Sequence, residues 1–168
     1  MQKLMLIGLL LTGSLFLTAC GAGRVEIVRE RGSEVFNVTV ELNEADIAHV
    51  VEDALRAGTN PLLRDPVVAL QNGQIEVTGT HERRDGSGTV AGSMILVPSV
   101  ENGRLRIEVT EINIEGVDVS DARIDQFNNN LAERLGHRAE QRDRDITMTS
   151  VSVTEDLLVL TLDATPRN

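Results

Sequence analysis

The amino-acid sequence predicts an α+β protein: a curled antiparallel β-sheet with two helices packed on its concave face. Three observations support this class. Short segments alternate apolar and polar residues with a period of two, two segments carry apolar residues at three- and four-residue spacings, and Asn-Gly pairs separate several of the alternating segments. The first pattern is typical of half-buried strands, the second of helices and the third of hairpin turns.

The first strand and the first helix follow one another after residue 33. Phe36 to Leu42 alternates with polar residues and predicts a strand. Asn43 is placed to cap a helix, with Asp46 at the reciprocal position of a capping box. The helix buries one face, and Gly58 is placed to end it. That face holds Ile47, Val50, Val51, Ala54 and Leu55.

Period-two segments fill the middle of the chain. Val67 to Leu70 and Ile75 to Thr78 flank Asn72-Gly73, for which we expect a type I′ turn. His81 to Gly88 is interpreted as a polar loop, and Val90 to Val97 as the next strand.

A second Asn-Gly pair, Asn102-Gly103, precedes a strand that carries Leu105, Ile107 and Val109 on one side. Ile112 and Ile114 follow on the other parity. This phase change near Thr110-Glu111 predicts a β-bulge.

A second helix and a closing hairpin complete the predicted order. Ser120 is expected to cap a helix in which apolar residues recur from Ile124 to Leu135, before Gly136. A charged connector from His137 to Asp145 leads to a hairpin with its turn at Glu155-Asp156.

The first twenty residues have the layout of an export signal. Met1-Gln2-Lys3 gives a short positive start, Leu4 to Leu17 an apolar centre and Thr18-Ala19 a small-residue exit. Leu17-Thr18-Ala19-Cys20 resembles the lipobox of bacterial lipoproteins. The resemblance implies removal of residues 1–19, S-acylation of Cys20, for example by palmitate, and anchoring on the extracytoplasmic side of the cell membrane or the outer membrane. The alternatives are an ordinary signal cleaved after Ala19, which leaves an idle thiol, and an uncleaved helix.

The domain organisation follows from this signal. We expect a signal peptide over residues 1–19, a flexible tether with room for a short strand over 20–33, and a single α+β domain over 34–168. Loss of Lys3 leaves 15 arginines against 26 acidic residues, a net charge of −11. This charge and the absence of Trp and Tyr argue against nucleic-acid binding.

The segment from about Phe36 to Leu162 resembles a family of envelope proteins. The Asn72-Gly73 hairpin, the segment from Pro98 to Leu105, the Gly116 step and the terminal hairpin are similar to those of small extracytoplasmic LmeA-like and YpmS-like proteins. Those proteins are related to the tubular lipid-binding superfamily. The resemblance implies a half-tubular fold that holds lipid in an apolar groove between sheet and helix.

Aliphatic strand residues are the candidate lining of this groove, because they are numerous and large rings are few. The alternative is that they form an ordinary core. The candidate ligand-binding residues are Val67, Leu70, Ile75, Val77, Met94, Leu96, Leu105, Ile107 and Val109.

Catalytic and metal-binding patterns do not stand out, so the sequence predicts neither an enzyme nor a cofactor. His49, His81 and His137 have no second ligand at metal-binding spacing. An acidic cluster does not follow the alternate-ligand spacing of a calcium loop and is interpreted as a solvated edge. It comprises Glu108, Glu111, Glu115, Asp118, Asp121 and Asp125.

Three functions follow from these patterns. The first is a lipid-anchored protein that binds a lipid or another apolar ligand. The second is a non-catalytic adaptor that presents its acidic surface to an envelope protein partner. A third is a helper of an envelope hydrolase or a polymer-building enzyme.

Overall fold

The protein is seen here in a computed structural model that describes residues 23–29, 34–57, 61–83, 85–137 and 144–166. The predicted signal, Cys20 and Gly58 lie outside the described residues. Within these ranges the chain forms β1 Arg24–Arg29, β2 Phe36–Leu42, α1 Glu44–Arg56, β3 Arg64–Gln71, β4 Gln74–Glu82, β5 Thr89–Glu101, β6 Arg104–Asn113, α2 Ala122–His137, β7 Arg144–Val153 and β8 Leu158–Pro166. The predicted α+β class is confirmed.

The described strands divide between two antiparallel sheets, where the sequence analysis expected one. Sheet A has the order β1-β2-β8-β7 and sheet B the order β3-β4-β5-β6, and neither sheet is strongly curled. Sheet A forms because β2 pairs with β8, from Phe36↔Ala164 to Leu42↔Leu158. Alternation fixes which face a side chain occupies, but it does not reveal this pairing between distant segments.

The β1 strand lies within the segment that was expected to be a tether. It pairs with β2 along its whole length, from Arg24↔Glu41 to Arg29↔Phe36. Its apolar residues Val25, Ile27 and Val28 remain exposed. This part of the segment is therefore held to the domain by backbone pairing.

The predicted start of α1 is confirmed. The Asn43 side chain accepts a hydrogen bond from the Asp46 backbone N–H at 3.0 Å, and the Asp46 carboxylate accepts one from Asn43 N–H at 3.2 Å. The apolar face predicted for this helix is buried. Glu44 also accepts a hydrogen bond from the Leu70 N–H at 2.9 Å, which links α1 to the edge strand β3.

The two Asn-Gly turns dock sheet B onto β7. Gly73 N–H donates to the Val153 carbonyl at 3.0 Å, and Met148 N–H donates to the Gly103 carbonyl at 2.9 Å. Asn102 and Gly103 both have positive φ, as a type I′ turn requires. At the other turn only Gly73 does, which is the sign pattern of a type II turn, so the type I′ prediction there is wrong.

The bulge predicted in β6 is confirmed. Ile95 pairs with Glu111 and Leu96 with Val109, so Thr110 is the extra residue. The extra residue moves the buried positions from Val109 to Ile114.

The start of α2 differs from the prediction. Asp121, and not Ser120, accepts the hydrogen bond from Arg123 N–H, at 3.0 Å. Ser120 instead donates through its N–H and hydroxyl to Asp118. Gly136 lies within the last turn, because the helix continues to His137.

His81 is a buried strand residue, so the prediction of a polar loop from this position is wrong. It lies on β4, is 2% exposed and has its Nδ1 2.8 Å from the Leu62 carbonyl oxygen. A carbonyl only accepts, so Nδ1 carries the proton. Gly79 allows the close approach of this segment, since a Cβ there would lie 2.6 Å from the Arg64 carbonyl oxygen.

Buried aliphatic residues from both sheets and both helices form one contiguous core. Phe127 is the aromatic residue in this buried cluster. Leu, Ile and Val therefore supply most of the apolar area removed from water, which is the main stabilising contribution to folding.

Candidate functional site: a groove between β6 and α2

The predicted ligand-lining residues lie mainly in the packed core. Val67 is the exception, with 64% of its surface exposed, and Leu105 is half-buried. The other seven are buried: Leu70, Ile75, Val77, Met94, Leu96, Ile107 and Val109. The fold therefore does not bring all nine residues together around one apolar space.

Three of these residues also face a groove between β6 and α2. The groove has a volume of about 920 Å³, within the range of about 300–1,000 Å³ that is common for binding clefts. The strand side contributes residues from Glu101 to Thr110, and the helix side contributes residues from Val119 to Ala132. The complete lining is Glu101, Asn102, Arg104, Leu105, Arg106, Ile107, Glu108, Val109, Thr110, Val119, Ile124, Asp125, Asn128, Asn129 and Ala132.

The groove runs along the free edge of β6. Seven consecutive residues, from Arg104 to Thr110, contribute to its lining. Successive strand residues project to opposite faces, so both parities can line one groove only where it follows the strand's edge. This agrees with the position of β6 at the end of sheet B.

The inner part of the groove is aliphatic. Ile107, Val109 and Ile124 are buried beneath it, and Leu105 is half-buried. Val119 lies at the surface, 46% exposed. The apolar surface that a ligand can bury here without disturbing the core is therefore limited to the accessible parts of Leu105, Val119 and Ala132.

The helix wall contains a polar atom without a partner. Asn128 Oδ1 is buried and has no hydrogen-bond partner among the described residues. A buried acceptor that lacks a donor costs about 1–3 kcal/mol, and because this oxygen is buried a ligand in the groove does not reach it unless the side chain moves.

Five charged side chains line the groove: Glu101, Arg104, Arg106, Glu108 and Asp125. Arg106 donates to Glu101 at 2.9 Å, which neutralises this pair. Within the described residues, Glu108 and Asp125 have no ion pair. Glu108 lies on the strand wall and Asp125 on the helix wall, and together they outnumber the one other unpaired charge of the described lining, Arg104, so the lining has a net charge of −1 and weakly favours a cationic group.

The acidic cluster continues from these walls over the β6–α2 connection. Glu108, Glu111, Glu115, Asp118 and Asp125 are exposed. Glu115 pairs with Arg83 at 3.2 Å. Hydrogen bonds from the Ser120 backbone and hydroxyl lower the pKa of Asp118, so this carboxylate stays charged to a lower pH than an ordinary aspartate.

Asp121, the sixth member, fixes the start of α2. It accepts hydrogen bonds from the Arg123 guanidinium at 3.1 and 2.8 Å, and this contact raises the pKa of Arg123. The pair is about one-fifth exposed on both sides. Asp121 is thus structural, while the exposed members of the cluster remain available to a partner.

No group of three or more His, Cys, Asp or Glu side chains that could hold a metal ion occurs within the described ranges. His49 is exposed on α1, His81 is buried against Leu62, and His137 Nε2 lies 3.3 Å from Glu133.

The position of Gly23 shows where the chain enters the domain. A Cβ at Gly23 would collide with Leu42 Cδ2 and would lie 2.8 Å from the Glu41 carbonyl oxygen. The chain therefore enters at the end of β2, beside the first turn of α1. None of the helices described is long and apolar enough to span a bilayer.

The helix wall was missed by sequence reasoning. Asn128 and Asn129 have the composition of an ordinary solvated helix face, and Ala132 carries no chemical signal. The position of β6 at a sheet edge depends on pairing that alternation does not reveal.

Comparisons with known proteins gave no relative from which to transfer a role. No protein-family model matches the chain, and no curated protein matches it significantly.

Proposed function

We propose that this chain is a lipid-anchored, non-catalytic adaptor that presents an acidic surface to a protein partner in the bacterial cell envelope. The observation that carries this proposal is the exposed run of carboxylates along β6 and into α2, of which Glu108, Glu111, Asp118 and Asp125 have no ion pair in the described part of the chain. Exposed charges of one sign steer an oppositely charged partner and select against others.

The anchor is the acylated Cys20 expected from the lipobox. Three residue-to-residue steps connect Cys20 with Gly23, a span of at most about 10 Å. The end of the domain that holds Gly23, Glu41 and Asp46 therefore faces the bilayer on the extracytoplasmic side of the cell membrane or outer membrane. Two or more acyl chains give stable anchoring without further apolar surface.

The filled interior favours an adaptor over a carrier of lipid. Seven of the nine candidate lining residues belong to the buried core, so no acyl chain can replace them without unfolding part of the domain. The half-tubular architecture would require a curled sheet around a lipid. The adaptor proposal does not depend on a half-tubular architecture.

A lipid or another apolar ligand in the β6–α2 groove is the second candidate function. The half-buried Leu105 and the exposed Val119, which line the groove above buried aliphatic residues, support it. Such binding would result from apolar burial, about 25 cal/mol per Å², and would be insensitive to salt. Partner binding through carboxylates would weaken as salt rises.

The anchor and the partner are tested separately. Cys20→Ser should move the protein from the membrane pellet to the soluble fraction, whereas retention in the pellet at unaltered mass would contradict the anchor. Cross-linking of a partner protein to the wild type should disappear when the reaction is run at moderate salt. It should also disappear when Glu111→Arg replaces the wild type. The matched control is Glu155→Arg, an equal charge change at an exposed residue of the β7–β8 turn. Lipid that stays bound to the extracted protein at high salt would instead support the second function.

A further inference from the structure

We propose that the β6–α2 groove binds an extended, basic segment of the partner, which pairs with the free edge of β6 as a fifth strand of sheet B. This inference rests on the proposed adaptor function and names the kind of partner that it recognises. Addition of a strand to a free edge supplies affinity through backbone hydrogen bonds and specificity through alternate side chains.

The backbone of β6 provides the first argument. β6 is the last strand of sheet B and spans ten residues, Arg104–Asn113. In an edge strand, alternate residues direct their N–H and C=O groups away from the sheet, and these groups are a template for another strand. Arg104 to Thr110 covers about 20 Å at 3.4 Å per residue, which matches an extended segment of about six or seven residues.

The other sheet edges differ from this one. At the β3 edge, Leu70 N–H already donates to Glu44, and the β7 edge receives the two Asn-Gly turns through Val153 and Met148. At β6 a groove separates the free edge from the facing helix α2.

Charge complementarity provides the second argument. Glu108 on the strand wall and Asp125 on the helix wall lack ion pairs within the described ranges, and the exposed carboxylates of Glu111 and Asp118 continue from them. An incoming segment with Arg or Lys would neutralise these charges.

The aliphatic residues of the groove determine which side chains the bound peptide segment should carry. Leu105, Ile107 and Val109 project to the inner side of β6, where they meet Ile124 of α2. Because alternate residues of an added strand face the same side, apolar residues at every second position would lie against the accessible parts of Leu105 and Ala132. The expected ligand is therefore an extended peptide that alternates aliphatic residues with polar ones and carries one or two basic residues.

The experiment selects decapeptides from a random display library on the full chain in detergent. Enriched peptides should be basic and alternating, and they should slow hydrogen exchange at the amides of residues 104–110. Asn129→Trp fills the groove from an exposed position on α2, and Gln126→Trp is its matched control at an exposed residue outside the lining. We expect at least a tenfold rise in Kd for Asn129→Trp and less than a twofold change for the control.

Two further comparisons test the mode of binding. N-methylation of alternate peptide amides should abolish binding, because it removes the donors that pair with β6. Glu108→Arg should weaken binding at least fivefold at low salt, and Glu155→Arg should leave it unchanged. An absence of enriched peptides, indifference to Asn129→Trp, or protection at another strand would overturn the proposal.

These outcomes also separate the groove from the adaptor function. If a cross-linked partner is retained by Asn129→Trp but lost in Glu111→Arg, the adaptor stands and the strand-addition site is wrong. If peptides bind as expected but no partner is lost in Glu111→Arg, the adaptor proposal fails and the groove remains.

Discussion

Gly103→Ala gives the most quantitative prediction for the contact between the two sheets. A Cβ at Gly103 would lie 2.8 Å from Thr147 Cγ2, and the Gly103 carbonyl accepts the Met148 N–H that links sheet B to β7. Gly116 is a matched control, because its φ is also +73° while no atom lies within 4 Å of a Cβ there. The two substitutions thus share the backbone strain and differ in the collision.

The expected magnitudes follow from these distances. Alanine in the left-handed region costs roughly 1–2 kcal/mol, and the smaller entropy of its unfolded chain offsets about 0.4–1 kcal/mol. Gly116→Ala should therefore lower the free energy of unfolding by about 1 kcal/mol. Thr147 is exposed, so a shift of its rotamer can relieve the contact at a cost of about 0.5–1.5 kcal/mol, and Gly103→Ala should lower the free energy of unfolding by about 1.5–2.5 kcal/mol.

Urea unfolding of the purified chain measures this difference. The midpoints should separate at equal slope, because the change lies in stability and not in the surface exposed. Thr147→Ser removes the colliding methyl group, so the double variant should recover most of the difference between the two alanine variants. Equal loss in Gly103→Ala and Gly116→Ala, or no recovery by Thr147→Ser, would refute the packing argument.

Three further predictions concern local structure. Gly79→Ala should lower the free energy of unfolding by at least about 2 kcal/mol, because its Cβ would meet the Arg64 carbonyl oxygen, and an unchanged urea midpoint would contradict this approach. Asn43→Ala should cost about 1 kcal/mol through loss of the α1 cap, and equal stability would show the capping box to be dispensable. Ser120→Ala should raise the pKa of Asp118 only partly, since the backbone hydrogen bond is the larger cause, as followed by NMR titration. The lowered pKa of Asp118 stabilises the folded protein at pH values above the pKa of an ordinary aspartate, and this stabilisation is lost as the pH falls through the pKa of the folded state. A wild-type titration midpoint at or above about 3.9 would contradict the lowered pKa.

Local features of the fold were predictable where a nearby residue determines them. The Asn43 cap, the buried face of α1 and the Thr110 bulge follow from residue type and phase over a few positions. The division of the strands into two sheets was not predictable, because it depends on the pairing of β2 with β8, which lies more than 100 residues later in the chain. The burial of His81 depends likewise on a carbonyl 19 residues away.

The candidate site was predictable only on its strand side. Leu105, Ile107 and Val109 were identified from alternation, but alternation describes a core face and a groove face in the same way. Asn128 and Ala132 contribute to the groove because α2 lies beside an edge strand, and their residue types give no sign of this. A site formed by a free strand edge depends on pairing, which is a long-range property.

A native mass spectrum of the protein, extracted gently from its membrane at low salt, tests the adaptor proposal most directly. The proposal predicts a chain that starts at Cys20 with covalent acyl mass and is bound to a protein partner that dissociates as salt rises. It also predicts that Glu111→Arg abolishes this complex. A chain with an unmodified Cys20, or one that carries non-covalent lipid at every salt concentration and no protein partner, would contradict it.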